Sequence, residues 1–287
     1  MTGLDPDDLD RLIRAAIDED LAGGVDVTTV ATVPVDSRGT ADFVVRGTGV
    51  LAGAAVASAV LHSVDASVEV SVEIDDGAAV GPGAVVLTAA GATRSLLTAE
   101  RTALNLLCHL SGIATLTARW VAAIDGTDGS SAQIRDTRKT TPGLRALEKY
   151  AIRCGGGVNH RSSLSEAALV KDNHILAAGG LAPAFAAVRA RWPDLSVEVE
   201  ADTVEQVREA IGAGADLVLL DNMSTADLRA AVRLAKAAGV RTEASGGLSL
   251  DRAAEVAATG VDFISVGALT HSAPILDIGV DLRTGTA

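Results

Sequence analysis

From residue 133 onward, six short, largely apolar runs alternate with segments of helical periodicity, and this rhythm restricts the second half of the chain to a parallel sheet. The runs are 133–135, 168–170, 197–199, 217–220, 242–244 and 263–266; the helical segments lie near 142–152, 181–191, 204–213, 226–238 and 250–259. Strand–helix repetition implies parallel strands joined by right-handed crossovers. Six such units predict an α/β barrel, incomplete because eight would close one. An open doubly wound sheet is the competing arrangement. No GxGxxG follows the first strand, which counts against a dinucleotide fold.

The first part of the chain reads differently. Asp5 can cap a helix, Pro6 suits its first position, and Leu9, Leu12, Ile13, Ala16 and Ile17 form one apolar face. A glycine-rich link follows at 21–29. Between 40 and 88, apolar and polar residues alternate around Asp76-Gly77 and Gly81-Pro82-Gly83, which predicts a small, mainly antiparallel sheet with one helix at about 54–63. A long helical run at 94–124 is expected to break or kink near Ser111-Gly112.

The residues just past the six barrel strands are Asp136, Lys171, Glu200, Asp221, Ser245 and Gly267. Five of the six are polar or charged, and four of those directly follow an apolar residue. One such residue could merely cap the next helix. Five together fit the C-terminal face of a barrel, where βα loops build the active site. Glu200 and Asp221 end consecutive strands. Paired carboxylates there could hold Mg²⁺ beside a diphosphate, act as general acid and base, or pair with Lys171 and Arg161.

Ser245-Gly246-Gly247 precedes a helical segment and reads as a phosphate loop, in which glycine lets backbone N–H groups approach an anion. Gly267-Ala268-Leu269-Thr270-His271 repeats the device after the next strand. Cations complete the pattern. The segment 134–174 holds eight Lys/Arg against four Asp/Glu, in a chain whose net charge is −13. Arg138 and Lys139 follow one strand, His160 and Arg161 follow three glycines, and Lys171 ends the next strand. Arginine grips planar carboxylates and lysine offers a point charge, so a small, heavily anionic ligand is expected. Arg145, Lys149 and Arg153, spaced about four apart, are read as the solvated face of a helix.

The acidic balance argues against nucleic acid or an anionic membrane as partner. No apolar stretch reaches the ~18 residues of a membrane span, and the N-terminus does not read as a signal peptide. Cys108 and Cys154 lack metal spacing and read as two reduced thiols of a cytoplasmic protein.

These motifs resemble those of the quinolinate phosphoribosyltransferases of bacterial type. The resemblance rests on Asp26-Val27-Thr28-Thr29, Glu100-Arg101-Thr102-Ala103-Leu104-Asn105, Leu110-Ser111-Gly112-Ile113-Ala114-Thr115, Asp136-Thr137-Arg138-Lys139-Thr140, Gly155-Gly156-Gly157-Val158-Asn159-His160-Arg161, Lys171-Asp172-Asn173-His174, Glu198-Val199-Glu200, Leu220-Asp221-Asn222, Glu243-Ala244-Ser245-Gly246-Gly247 and Gly267-Ala268-Leu269-Thr270-His271. It implies an α/β chain with an N-terminal α/β sandwich domain (1–112, completed by 272–287) and an incomplete, open α/β barrel of TIM-like type (113–271). It implies quinolinate and phosphoribosyl pyrophosphate (PRPP) as substrates, Mg²⁺ as cofactor, and a homodimer or a multiple of it.

Carried over residue by residue, the resemblance places Arg101, Arg138, His160, Arg161 and Lys171 on the quinolinate carboxylates, with Arg101 reaching across from the partner subunit. Thr137, Lys139, Asn173, Ser245, Gly246, Gly247, Gly267, Ala268 and His271 would receive phosphates. Glu200 and Asp221 would lie on the ribose and Mg²⁺ side, directly or through water, and would share the chemistry with Lys139 and Lys171. A paralogue acting on another base, or a non-catalytic phosphate-ligand sensor on the same fold, is the alternative. Intact Lys139, Glu200 and Asp221 argue against the sensor.

Overall fold

The computed structural model describes residues 5–127 and 130–284. Helix α1 (Pro6–Leu21) starts where the sequence places it: the Asp5 side chain accepts the Asp7 N–H at 2.9 Å, and Pro6 loses no hydrogen bond there. The glycine-rich link then holds an unforeseen short helix, α2 (Val27–Thr32), because Asp26 caps it by accepting the Thr29 N–H at 3.0 Å. The chain continues through β1 (Arg38–Val45), β2 (Gly49–Val50), α3 (Ala54–Val64), β3 (Glu69–Val72), β4 (Ala79–Val80), β5 (Val85–Ala92) and α4 (Thr93–Ile124). The alternating half comprises β6 (Gln133–Arg135), α5 (Arg145–Cys154), β7 (Ala168–Val170), α6 (Asp172–Ala178), α7 (Leu181–Arg191), β8 (Val197–Ala201), α8 (Val204–Ala213), β9 (Leu217–Asp221) and α9 (Thr225–Ala237). It ends with β10 (Arg241–Ser245), a 3₁₀ turn (Leu250–Arg252), α10 (Ala253–Ala257), β11 (Phe263–Ser265), α11 (Ala268–His271) and β12 (Ile278–Thr284).

Two compact units result. The first takes the chain up to Ala118, then Thr141–Gly156, and the chain from Ser272. Its main sheet has the order β12-β1-β5-β3 and is antiparallel throughout. Phe43, Leu51, Leu87, Leu107 and Leu110 are among its fully buried core residues. By length and composition α4 could cross a membrane, but 56% of its apolar window is buried within the fold, as in the core helix of a globular unit.

Three expectations are corrected in this unit. Helix α4 runs through Gly112 without the expected break. That glycine serves close packing instead: a Cβ there would lie 2.2 Å from the Pro274 carbonyl oxygen. Helix α5, which its place in the sequence assigns to the barrel, belongs to this unit. Its buried Glu148 meets His109 of α4 at 2.9 Å, and its Tyr150 hydroxyl donates to Asp76 at 2.7 Å. Lys149 of α5 does not face water; it is only 4% exposed. A spacing of about four identifies one face of a helix but not which face is covered.

The second unit takes Arg119–Thr140 and Gly157–His271. Its six strands are all parallel, in the order β6-β11-β10-β9-β8-β7. That is the order of a barrel wall, with β7 to β11 each beside its successor and β11 beside β6. Among the described residues the wall is open between β6 and β7, with one isolated bridge from Val158 to Arg135. The incomplete barrel is therefore the observed architecture.

Register assigns each side chain to a face. In-register partners share a side of the sheet, and alternate residues share a side along each strand. Ile134, Val170, Val199, Leu220, Ala244 and Ile264 form one set, all 2% exposed or less. The opposite set carries Arg135, Leu169, Glu198, Glu200, Leu219, Asp221, Glu243, Ser245 and Ser265. Barrel interiors are ordinarily layers of branched aliphatics; this one is largely polar and charged.

Candidate active site

A cavity of about 480 Å³ opens on this polar face, and every lining residue belongs to the second unit. Its walls include Leu169, Glu200, Leu219, Asp221, Glu243, Ser245 and Ser265 from the strands. The loop after β6 adds Thr137, Arg138 and Lys139, and the turn beyond Gly157 adds His160 and Arg161. Lys171 and Asp172 complete the lining at the start of α6. Most of the charged strand ends expected from the sequence therefore converge on one space.

Arg138 and Arg161 define its cationic side. The Nε of each is buried and has no hydrogen-bond partner among the described residues. Arg161 Nη1 donates to the Ala167 carbonyl at 2.6 Å, which aims the guanidinium. Burial, and then the nearby Arg138 charge, pull Arg161 below the ordinary arginine range. Two partly buried guanidiniums, each with a buried spare donor and each raising the cost of the other's charge, are stabilised by an anion that accepts from both.

The carboxylates differ in their partners. Glu200 is paired with Lys171, and so carries a partly compensated charge. Asp221 accepts from the neutral Asn222 side chain at 2.6 Å. The loop from Thr137 is pinned: Thr137 Oγ1 accepts the Lys139 N–H at 3.0 Å, and Thr270 Oγ1 donates to the Lys139 carbonyl at 2.8 Å. A Cβ on Gly267 would lie 3.0 Å from Lys139 Cδ and 3.3 Å from His271 Nε2. Lys139, Gly267 and His271 thus converge, with Ala268 opening α11 beside them.

The remaining expected residues do not line the cavity. Gly246 and Gly247 follow Ser245 with φ of +89° and +57°. Asn173 is exposed in the first turn of α6, where Asp172 rather than Asn173 lines the cavity. Arg101 is exposed on α4 in the first unit. Asp136, though a strand end, is fully buried: it accepts the His160 N–H at 2.6 Å and the Asn159 side chain at 2.9 Å. It shares parity with Ile134, so it fixes the turn that carries His160 and Arg161 instead of facing the cavity.

Sequence reasoning missed the floor. His160 Nε2 lies 2.8 Å from Glu198 Oε2 and 3.9 Å from Glu243 Oε1. Glu243, 0% exposed, also pairs with Arg135 at 2.5 Å and accepts from Ser265. The signal was present as period-two polarity, in Glu198-Val199-Glu200 and Glu243-Ala244-Ser245. Both carboxyls are pushed up, Glu243 by burial and then by Glu198, and Glu198 by burial to about 7 despite Arg135, Arg161 and Lys171. These three groups are close enough to consider a metal. Arg135 already supplies the countercharge, so a cation gains little there.

A pH effect follows. A carboxyl raised on folding contributes stability that is whole below its unfolded value near 4.5 and is lost as pH rises through 7. Glu198→Gln removes that loss. Its unfolding free energy is expected to exceed that of the parent by roughly 1–3 kcal/mol at pH 8 and to match it near pH 4. Denaturant titrations across that range check this, and a gain independent of pH would refute it.

Comparison with known proteins agrees with this geometry. Residues 113–281 match the family model for the quinolinate phosphoribosyl transferase C-terminal domain, and 26–111 match that for its N-terminal domain. The chain is 52% identical over 274 residues to a nicotinate-nucleotide pyrophosphorylase [carboxylating] of Mycobacterium leprae, covering 94% of this chain and 95% of that one. Its fold is similar to the crystal structure of NadC from Streptococcus pyogenes, with a TM-score of 0.93 at 40% identity and full coverage of both chains. It is also similar to the nicotinate-nucleotide pyrophosphorylase from Francisella tularensis, with a TM-score of 0.89 at 36% identity and 98% coverage of each.

Proposed function

Because the chain belongs to the quinolinate phosphoribosyl transferase family, we propose that it transfers the phosphoribosyl group of PRPP to the ring nitrogen of quinolinate, with decarboxylation. The products are nicotinate mononucleotide, pyrophosphate and CO₂, a step of de novo NAD biosynthesis. The observation that carries this reading is the pair of buried, acceptor-less Nε atoms on Arg138 and Arg161, a demand that two carboxylates on one ring can meet. His160 and Lys171 border the same space.

Chemistry follows from the lining. Departure of pyrophosphate leaves positive charge at the ribose C1, which an adjacent carboxylate stabilises. Asp221, without a cationic partner among the described residues, is the better placed of the two acids. Lys139, Ser245 and the Gly246-Gly247 and Gly267-Ala268 backbones neutralise the phosphates, with Thr137, Asn173 and His271 at their margin. The ring nitrogen attacks C1, and the ring becomes cationic. It then accepts the electron pair released as the adjacent carboxylate departs as CO₂, and that carbon takes up a proton. Catalysis is positioning and electrostatics, with no covalent enzyme intermediate.

Glu200 and Asp221 suit Mg²⁺, since both are hard oxygen donors on neighbouring strands facing one cavity. When bound there, directly or through water, Mg²⁺ supplies charge neutralisation for the departing pyrophosphate. We further assign a homodimer in which Arg101 of each subunit serves its partner's site. Arg101 is exposed and forms no ion pair among the described residues, so it is available to do so. Cytoplasmic residence accords with two free cysteines and small anionic substrates.

With PRPP and Mg²⁺, the protein is expected to release CO₂ and form a mononucleotide from quinolinate but not from nicotinate, which has one carboxylate. Equal turnover of nicotinate would overturn the assignment. Mixing inactive Arg101→Ala and Lys171→Ala proteins should restore up to about a quarter of parental activity, because each hybrid dimer holds one intact site. No recovery after verified subunit exchange would rule out a shared site.

A further inference from the structure

Asn222 has no part in the roles assigned above, yet its geometry is unusual. It follows Asp221 directly with φ of +53°, a left-handed conformation that asparagine tolerates better than most residues. Its side-chain Nδ2 donates to Asp221 Oδ2 at 2.6 Å. Its backbone N–H donates to the Ser245 carbonyl at 3.0 Å. Its Oδ1 occupies the space that a Cβ on Gly246 would need, 2.3 Å from that position. The glycine loop after β10 is therefore moulded around the Asn222 side chain, while the same amide orients the carboxylate that ends β9.

We infer that Asn222 is a positioning residue that locks the acid at the end of β9 and the glycine loop after β10 into one arrangement for binding PRPP. The inference rests on the functional reading above, which puts the ribose beside Asp221 and a phosphate on the loop. Asparagine meets three requirements together: a left-handed backbone, an N–H donor for Asp221, and a neutral oxygen beside a loop that receives an anion. Aspartate matches its shape and tolerates the backbone, but replaces the donor with an acceptor and sets a second negative charge beside Asp221 and the phosphate. Glycine keeps the backbone at no cost and removes the amide.

The test compares Asn222→Asp and Asn222→Gly with the parent in steady-state assays with PRPP, Mg²⁺ and quinolinate. Asn222→Asp is expected to raise the KM for PRPP about tenfold or more, the effect of losing one charge-assisted hydrogen bond. Asn222→Gly should fall between it and the parent. The KM for quinolinate should stay within twofold in both, because its carboxylates are read by Arg138 and Arg161. If Asn222 acted only through shape and backbone conformation, the isosteric aspartate would be the milder change, so that order would overturn the inference. So would equal effects on the two substrates. If Asn222→Asp does not fold, a PRPP KM within twofold of the parent in Asn222→Gly alone overturns it. A parent protein that never saturates with PRPP would instead sink the underlying functional reading, and the positioning role with it.

Discussion

Arg161→Ala is expected to lose roughly 2–5 kcal/mol of transition-state binding, about 30- to several-thousand-fold in kcat/KM for quinolinate, the usual cost of deleting one partner of a buried charge pair. Arg161 carries a buried, unpartnered Nε and is aimed by its 2.6 Å bond to the Ala167 carbonyl. Truncation removes the donor and leaves that carbonyl to find another. The loss should be specific: the KM for PRPP should change little, because the proposed reading gives the phosphates to Lys139 and the glycine loops. Arg161→Lys should recover only part of the activity, since a point charge cannot reproduce a planar fork. The folded protein should also gain stability, because Arg138 would no longer face a second, partly buried cation. Near-parental turnover in Arg161→Ala would remove the basis for the carboxylate-reading assignment.

The second large effect concerns the acids. Asp221→Asn is expected to lower kcat by roughly 100- to 1,000-fold, the scale for removing one group aimed at charge that develops in the transition state. Glu200→Gln should be milder. Glu200 is paired with Lys171, so part of its charge is already compensated, whereas among the described residues Asp221 meets the neutral Asn222 and no cation. Single-turnover measurements at saturating substrates would isolate the chemical step. The reverse order would mean that Glu200 parts from Lys171 when substrates bind and takes the principal role.

Much of this architecture is legible in one dimension. Largely apolar runs of three or four residues separated by amphipathic segments specify parallel strands, and polar residues at their ends mark the face where a site forms. Lys171, Glu200, Asp221 and Ser245 were found in this way, and all four line the cavity. The same rule admitted Asp136, which is buried beneath the turn before His160. A strand-end rule recognises position along the strand but not parity across it, and Asp136 belongs to the opposite face.

Other features depended on partners distant in sequence. Whether Lys149 faced water could not be read from its spacing; the packing of α5 buried it. Gly112 has the local character of a helix breaker, but its role is set by the chain at Pro274, which passes too close for a side chain. The sequence alone determined the strand–helix alternation, the gathering of cations within an acidic chain, and the residue types available for binding an anion, because these depend on composition and local periodicity. Only the tertiary structure decided that Arg138 and Arg161 bury donors without acceptors among the described residues, and that Glu198 and Glu243 form the floor with His160, Glu243 paired with Arg135. Burial and charge pairing are properties of residues brought together across the sheet, and no local pattern records which will meet.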